Sequence, residues 1–324
     1  MSRAARPGRR SPPPKPDLSV ELGPLRLKNP IVTASGTFGY GSEFLPYLDL
    51  SRLGGLVTKG LSLKPRRGNP PPRTCETAAG MLNAIGLANV GVEAFVEKKL
   101  PELRRHDTAI IANVFGETLD EYVAVARRLN RAVGLAAIEL NLSCPNTEKG
   151  GIAFGVEPEV IREVVSAVRR AAPDLPLIVK LTPNITDIAV AGRAARDAGA
   201  DILSLVNTFL GMAIDLDRRR PLLSNGVGGL SGPAIKPLAL YMVNRVHREV
   251  GLPVFGMGGI VSARDALEFM VAGAAAVQVG TVNFFDPTAS ARMVGEVAAW
   301  CRREKVGRLR DIVGTLKVAP PSGP

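Results

Sequence analysis

The segment NLSCPN, residues 141–146, puts a reactive side chain at the point where an apolar run ends. Cys144 follows the run AAIELNLS and precedes the glycine-rich stretch TEKGGIAFG, which could act as a lid. A free thiol titrates near pH ~8.5, and a polar, cationic setting lowers that value, so Cys144 can serve as a base. The common role of a free cysteine is that of a small buried apolar group, and we assign that role to Cys75 and Cys301.

The two histidines of the chain lie away from this segment. His106 precedes the third of the apolar runs described below, and His247 lies in a stretch with helical periodicity. The most frequent general base of enzymes is therefore missing from the ends of the runs. The remaining candidates are Cys144, Lys59 and hydroxyl groups, with Cys144 first among them.

Eight short apolar runs recur along the chain, each followed by turn-forming residues. They are residues 30–35, 55–60, 109–116, 136–143, 175–183, 201–208, 252–259 and 275–281. Amphipathic stretches such as ETLDEYVAVARRLNRA and PEVIREVVSAVRRAA separate most of them. Apolar strands that alternate with helices indicate a parallel sheet buried on both faces, and eight of them predict a single-domain α/β fold, the (β/α)8 TIM barrel. A doubly wound open sheet is the alternative.

The C-terminal ends of these runs carry polar residues or glycines. In chain order they are Ser35–Gly36, Lys59–Gly60, Asn113, Asn141 with Ser143 and Cys144, Lys180, Asn207–Thr208, Gly258–Gly259 and Gly280–Thr281. Barrel enzymes build their active sites at this face, although any one such residue could be a simple turn former. Amides, hydroxyls, lysines and glycines with hardly a carboxylate among them suit an anionic, hydrogen-bonding ligand and predict no metal site.

Glycines after the last two runs predict a phosphate site, because glycine lets backbone N–H groups approach an anion closely. Lys180 is placed to act as a cation beside an electron-rich cofactor ring. The alternative is that its side chain extends from the barrel into water. Two connections, residues 61–88 and 209–232, are longer than the scaffold needs. Their composition predicts ordered hairpins that cover a site.

Nearly half of the net charge of +11 lies at the N-terminus, where the first sixteen residues hold five basic and no acidic side chains. We expect residues 1–16 to be a disordered basic tail, residues 17–318 to form the barrel, and residues 319–324 to be a C-terminal tail. Three scattered cysteines without a CxxC pair predict neither a disulfide framework nor a zinc or iron–sulfur site. With no bilayer-length apolar run and no signal-peptide core, the expectation is a cytoplasmic protein that does not enter membranes.

The sequence resembles a known family, the class 1 dihydroorotate dehydrogenases. The resemblance runs through NPIVTASGTFGYG, PRRGNPPPR, GMLNAIGL, NLSCPN, VKLTPN, VNTFLGMAID, GGLSGPAIKP, GMGGI and VGTVNF. Members of this family are FMN-dependent (β/α)8 enzymes of pyrimidine biosynthesis. The resemblance implies that dihydroorotate loses its C5 proton to Cys144 while its C6 hydride passes to the flavin N5, which yields orotate.

The resemblance also assigns binding residues. It implies FMN contacts for Ser35, Lys59, Gly60, Asn113, Asn141, Lys180, Val206, Gly232, Gly258, Gly259, Gly280 and Thr281. It implies substrate contacts for Lys59, Asn83, Ala84, Ile85, Gly86, Leu87, Asn141, Asn207 and Thr208. Amides can hydrogen-bond to the cyclic imide of the substrate, while a lysine offsets its carboxylate.

NTEKGGIAFG after the cysteine resembles the subtype that passes electrons to NAD through a separate subunit with FAD and a [2Fe–2S] cluster. A catalytic homodimer within a heterotetramer is implied. Three alternatives remain: the fumarate-reducing homodimeric subtype, another FMN barrel that acts on dihydropyrimidines or dihydrouridine, and a nucleic-acid-binding protein driven by the basic tail. The absence of an RNA-binding motif and the 5% aromatic content disfavour nucleic acid as a partner.

Overall fold

The computed structural model describes residues 15–143 and 155–317, within which eight parallel strands close into a barrel. The strands are β1 (Ile31–Thr33), β2 (Gly55–Val57), β3 (Ala109–Val114), β4 (Ala137–Asn141), β5 (Leu177–Lys180), β6 (Ile202–Leu205), β7 (Val254–Met257) and β8 (Ala276–Val279). They pair in chain order, and β8 closes the ring on β1 with Val277 opposite Ile31. The predicted (β/α)8 barrel is confirmed, because closure rules out an open doubly wound sheet.

Helices pack around the outside of the barrel. In the described residues they are α1 (92–103), α2 (Leu119–Asn130), α3 (Pro158–Ala171), α4 (Ile188–Asp197), α5 (Lys236–Val250), α6 (Ala263–Ala272) and α7 (Ala289–Arg303). The buried side chains of α3, Ile161, Val164, Val165 and Val168, follow the spacing of a single helix face. Side-chain oxygens of Thr118, Asp187 and Ser262 cap the N-termini of α2, α4 and α6. No helix in the described part of the chain is long and apolar enough to cross a membrane.

Helix α1 is an addition to the elements that the sequence predicted. It consists of α-helical Val92–Ala94, a π-helical turn at Phe95–Lys99 and α-helical Leu100–Leu103. Pro101 has no N–H to donate to the preceding turn, so the regular hydrogen-bond ladder cannot run through this point. The proline also masks the helical pattern in the sequence.

A short antiparallel hairpin, Val20–Leu22 with Leu25–Leu27, covers the N-terminal end of the barrel. Its apolar side chains are buried, while those of Glu21 and Arg26 face outward. Gly23 at the turn lies against the backbone carbonyl of Asp201, the residue that precedes β6. The hairpin thus covers one end of the barrel, and the opposite end is left for a site.

The two long connections form one sheet above the opposite end. Strands Phe209–Gly211, Gly228–Ser231, Gly80–Asn83 and Thr74–Thr77 pair in that order, all antiparallel, and we call them the cap sheet. The first two strands come from the connection after β6, and the other two come from the connection after β2. The predicted ordered hairpins are confirmed, and the structure adds that they join each other.

Candidate active site

The predicted site residues converge at the C-terminal ends of the barrel strands, which we call the rim. Asn113, Asn141 and Lys180 lie in β3, β4 and β5, and the register sets Asn141 directly beside Lys180. The remaining rim residues follow β1, β2, β6, β7 and β8, namely Ser35, Lys59, Gly60, Val206, Asn207, Thr208, Gly258, Gly259, Gly280 and Thr281. The cap sheet and its loops supply Asn83, Ala84, Ile85, Gly86, Leu87 and Gly232. The prediction that these segments meet at one face is confirmed.

A carboxylate that the sequence analysis passed over lies at the centre of the barrel. Glu139 is fully buried, and its Oε1 accepts a hydrogen bond of 2.7 Å from Asn113 Nδ2. Its Oε2 accepts one of 2.5 Å from Gln278 Nε2 in β8, the strand diametrically opposite β4. Lys180 Nζ lies 3.9 Å from Glu139 Oε1. A sequence signal existed, because side chains alternate along a strand and Glu139 shares the inward face with Asn141, two residues on.

A second polar cluster joins the ends of β4 and β6. Asn207 Nδ2 donates to Asn141 Oδ1 at 3.2 Å and to Ser143 Oγ at 2.7 Å. The backbone carbonyl of Asn141 accepts a hydrogen bond of 2.8 Å from the hydroxyl of Tyr122, which is buried in α2. These bonds fix both amides, so the cluster can present defined donors and acceptors to a ligand. Cys144, the predicted base, comes directly after Ser143 and lies outside the described residues.

The cap sheet holds the predicted substrate-binding stretch against the rim. Asn83 Nδ2 donates to the backbone carbonyl of Gly229 in the neighbouring strand. Gly229 lies so close to Thr208 that a Cβ there would come within 2.1 Å of the threonine hydroxyl. Leu87, at the end of the stretch, has a φ of +56°, a left-handed conformation that is strained for a branched side chain. Such strain is frequent at ligand-binding segments.

Lys59 gives the rim a cation that faces the cap. Burial and, next to it, the positive charge of Arg73 lower the pKa of Lys59 from its usual 10.5, while the carboxylate of Glu43 opposes them. Arg73 is a second residue that the sequence analysis did not name. Two neighbouring cations repel each other until an anion binds between them, so this corner of the site favours a carboxylate.

Side chains of α5 and α6 hold the loop after β7 in place. Asp265 of α6 accepts hydrogen bonds from the backbone N–H groups of Val261 and Ser262 and from the Ser262 hydroxyl, at 2.8–3.0 Å. Lys236 of α5 forms an ion pair with the same carboxylate. Burial would raise the pKa of Asp265, but the bonds from Lys236, Val261 and Ser262 outweigh it and lower that pKa.

Gly259 ends the tight turn that this support holds. It has a φ of +70°, and a Cβ there would come within 2.8 Å of the carbonyl oxygen of Gly232. The described residues provide no acceptor for the backbone N–H groups of Gly258, Gly259 or Thr281. A hydrogen bond of 2.9 Å from Thr281 Oγ1 to Ser231 Oγ ties the loop after β8 to the cap sheet. Backbone donors that converge in this way form an anion-binding cradle.

The remaining cysteines and histidines do not lie at the strand ends of the rim. Cys301 is fully buried in α7, and burial raises the pKa of its thiol. Cys75 is half-buried in the cap sheet, where it packs with Leu82 and its neighbours. His247 lies in α5, and His106 lies before β3, at the other end of the barrel. Among the described residues there is no cluster of His, Cys, Asp and Glu that could hold a metal ion.

Comparison with known proteins agrees with this arrangement. A family model described as "Dihydroorotate dehydrogenase" matches residues 17–299. The chain belongs to the dihydroorotate dehydrogenase family. It is 54% identical over 304 residues to a protein of Geotalea daltonii and 56% identical over 304 residues to one of Geobacter sulfurreducens. Both alignments cover 94% of this chain and 99% of the relative, and both relatives are named "Dihydroorotate dehydrogenase B (NAD(+)), catalytic subunit".

A third relative with the same name, from Pelobacter propionicus, is 56% identical over 303 residues, again 94% of this chain and 99% of the relative. The alignments thus extend over almost the whole length of all three relatives.

Members of this family carry FMN, and the geometry of the rim fits such a group. The cradle of Gly258, Gly259 and Thr281 offers N–H donors that have no acceptor among the described residues, and such donors bind a phosphate. Lys180 makes no hydrogen bond within the described residues, although its side chain is only 7% exposed. Its ammonium group is therefore free to donate to an electron-rich ring. The cradle lies after β7 and β8, and Lys180 lies at the end of β5, on the same rim. This separation fits a nucleotide that has a phosphate at one end and a ring at the other.

Proposed function

We propose that this chain is an FMN-dependent dihydroorotate dehydrogenase, which oxidises dihydroorotate to orotate in pyrimidine biosynthesis. The observation that carries the proposal is the composition of the rim. It combines a glycine cradle for a phosphate, a buried lysine that makes no hydrogen bond within the described residues, paired asparagines and the Lys59–Arg73 corner. Family membership and the names of the relatives support the same substrate.

In this proposal the cofactor phosphate is held by the N–H groups of Gly258, Gly259, Gly280 and Thr281, with Gly232 close by. Ser35, Lys59, Gly60, Asn113, Asn141, Lys180 and Val206 contact the rest of the FMN. When bound, FMN would supply the acceptor for the hydride from C6 of the substrate. Lys180 would contribute a positive charge beside the ring of such a cofactor.

The chain binds and deprotonates the substrate. Asn83, Asn141, Asn207 and Thr208 hydrogen-bond to its cyclic imide, the stretch from Ala84 to Leu87 covers it, and Lys59 binds its carboxylate. Cys144 takes the proton from C5 as a thiolate base, and the electrons of that C–H bond form the C5–C6 double bond of orotate. The hydrogen bonds of Asn207 to Asn141 and Ser143 keep these groups in place during proton transfer.

The substitution Cys144→Ser tests this assignment. The variant should bind FMN normally, but dihydroorotate should reduce its flavin far more slowly at neutral pH, because a hydroxyl is a much weaker acid than a thiol. Anaerobic stopped-flow bleaching of the flavin absorbance measures the rate, and Cys75→Ser serves as the matched control. Wild-type reduction by Cys144→Ser would exclude the thiol as the base. The proposed substrate would be wrong if dihydropyrimidines reduce the flavin of the wild-type protein and dihydroorotate does not.

For the electron acceptor we propose NAD+, reached through a second subunit that carries FAD and a [2Fe–2S] cluster. The relatives are named as NAD(+)-linked catalytic subunits, and this chain has no dinucleotide fingerprint and only three scattered cysteines. The chain alone should oxidise dihydroorotate with a dye but not with NAD+, and adding the partner should restore NAD+ reduction. NAD+ reduction by the chain alone would refute the partner, and efficient fumarate reduction would favour the fumarate-linked subtype.

We further propose that two copies of the chain form the catalytic homodimer through the connection between β6 and α5, which includes a small antiparallel hairpin of Ile214–Asp215 with Arg220–Pro221. Leu210, Met212, Ile214 and Leu216 alternate along it and are 53–81% exposed, which is unusual for apolar side chains in a row. Ile214→Glu should yield monomers in sedimentation velocity. Val133→Glu is the control, since Val133 is equally exposed at another place, and a dimer that survives Ile214→Glu would place the interface elsewhere.

A further inference from the structure

Glu139 is a buried carboxylate that the proposed reaction does not use. It lies in the middle of the barrel, immediately below the rim, and it touches one residue from each of three other strands: Asn113 in β3, Lys180 in β5 and Gln278 in β8. No other ion pair involves Glu139 or Lys180 within the described residues. A carboxylate in such a place is costly to bury, and its neighbours indicate what it does.

The first consequence concerns the two amides. An ionised carboxylate only accepts hydrogen bonds, so Asn113 and Gln278 must both turn their NH2 groups towards Glu139. Their carbonyl oxygens are thereby directed away from it. Asn113 Oδ1 lies 3.0 Å from the position of a Cβ on Gly60, at the rim, and Gln278 Oε1 is buried without a partner in the described residues. Glu139 thus fixes which atom of Asn113 faces the site.

The second consequence concerns charge. At 3.9 Å the carboxylate offsets the ammonium group of Lys180 without forming a hydrogen bond to it. Lys180 therefore keeps its N–H donors for a ligand, while the positive charge that a ligand experiences is reduced. A neutral residue at position 139 would leave the same ammonium uncompensated in a dry interior.

We infer that Glu139 is a positioning residue that sets the electrostatic potential at the flavin site through Lys180 and orients Asn113. The inference rests on the proposed function, because it requires FMN at this rim. It predicts opposite effects for the two members of the pair. Removing the negative charge should make the flavin easier to reduce, and removing the positive charge should make it harder to reduce.

The test is a double-substitution cycle of wild type, Glu139→Gln, Lys180→Gln and the double variant, with the flavin midpoint potential measured by anaerobic reductive titration. Glu139→Gln should shift the potential to a more positive value, and Lys180→Gln should shift it to a more negative value. The double variant, in which the pair is neutral again, should return close to wild type. A purely structural role of Glu139 would lower flavin content without shifts of opposite sign.

The same double-substitution cycle also tests the inference on variants that purify without FMN. If a single variant purifies without FMN, the dissociation constant for added FMN is measured by quenching of flavin fluorescence. The two substitutions should then be non-additive by about tenfold, the size typical of interacting groups. Additive dissociation constants, or a Glu139→Gln potential equal to that of the wild type, would overturn the inference. A wild-type protein that binds no FMN would instead overturn the proposed function.

Discussion

Gly259→Ala probes the phosphate cradle through a geometry that the structure defines. The new Cβ would come within 2.7 Å of Lys236 Cβ and 2.8 Å of the Gly232 carbonyl oxygen, and neither atom can move freely. Its φ of +70° costs an alanine about 1–2 kcal/mol, and the two contacts add about 1–3 kcal/mol. The loop can relieve the contacts by shifting, but FMN binding requires the original loop position. The free-energy cost of the contacts therefore reduces the affinity for FMN. We therefore expect FMN to bind about 5- to 150-fold more weakly, at about 1.4 kcal/mol per tenfold.

Gly251→Ala is the matched control for that substitution. Gly251 ends α5 with a φ of +81°, and a Cβ there would meet nothing within 4 Å. It should carry the same backbone strain of about 1–2 kcal/mol in the free energy of unfolding, without any change in FMN affinity. Thermal unfolding of the apoproteins and fluorescence titration with FMN separate the two quantities. The reasoning fails if Gly259→Ala binds FMN like wild type, or if Gly251→Ala weakens binding equally.

Three further predictions use other parts of the site. Orotate affinity, measured by calorimetric titration at a series of pH values, should fall as the pH rises through the lowered pKa of Lys59, because only the ammonium form binds the carboxylate. If the Lys59→Gln variant shows the same pH dependence, this explanation is wrong. Asn207→Ala should lower kcat/KM for dihydroorotate about 10- to 100-fold in a dye-linked assay, with normal FMN content, because one directed amide is worth roughly 1–3 kcal/mol. An unchanged kcat/KM would remove Asn207 from the substrate site. Asp265→Ala should destabilise the protein by about 3 kcal/mol in urea unfolding, because it removes the acceptor for Val261 and Ser262 and leaves the Lys236 ammonium with Glu268 as its remaining ion-pair partner. Since the folded-state pKa of Asp265 is lowered, this loss should be complete above pH ~4 and shrink as the pH falls below it, and a pH-independent loss would refute the ion-pair explanation.

Much of the barrel could be predicted because its signal is local. Each strand is a short apolar run, and α2 to α7 begin and end within a few residues of the amphipathic stretches. The rim residues could be predicted for the same reason, since parallel strands that alternate with helices bring all their C-terminal ends to one face. Helix α1 escaped prediction, because Pro101 and the π-helical turn disturb the regular period.

The pairing of distant segments could not be predicted in this way. Nothing local in residues 74–83 indicates that they continue a sheet with residues 209–211 and 228–231, because strand pairing depends on where the barrel places the two connections. Likewise, Glu139 stands out in its run, but its partner Gln278 is 139 positions away in the chain. Two side chains on opposite strands of a barrel come within hydrogen-bonding distance only when the sheet closes, so the partner cannot be found from either strand alone.

The sequence by itself therefore determined the strand order, the polar face and, through its motifs, the family to which the chain belongs. The tertiary structure decided which of those polar groups touch. It directed Asn113 and Gln278 onto Glu139, placed Lys180 beside the same carboxylate without a hydrogen bond, and brought Arg73 into the electrostatic environment of Lys59. The physical reason is that strand formation depends on neighbours in the chain, whereas charge compensation and amide orientation depend on distances that are fixed only when the barrel closes.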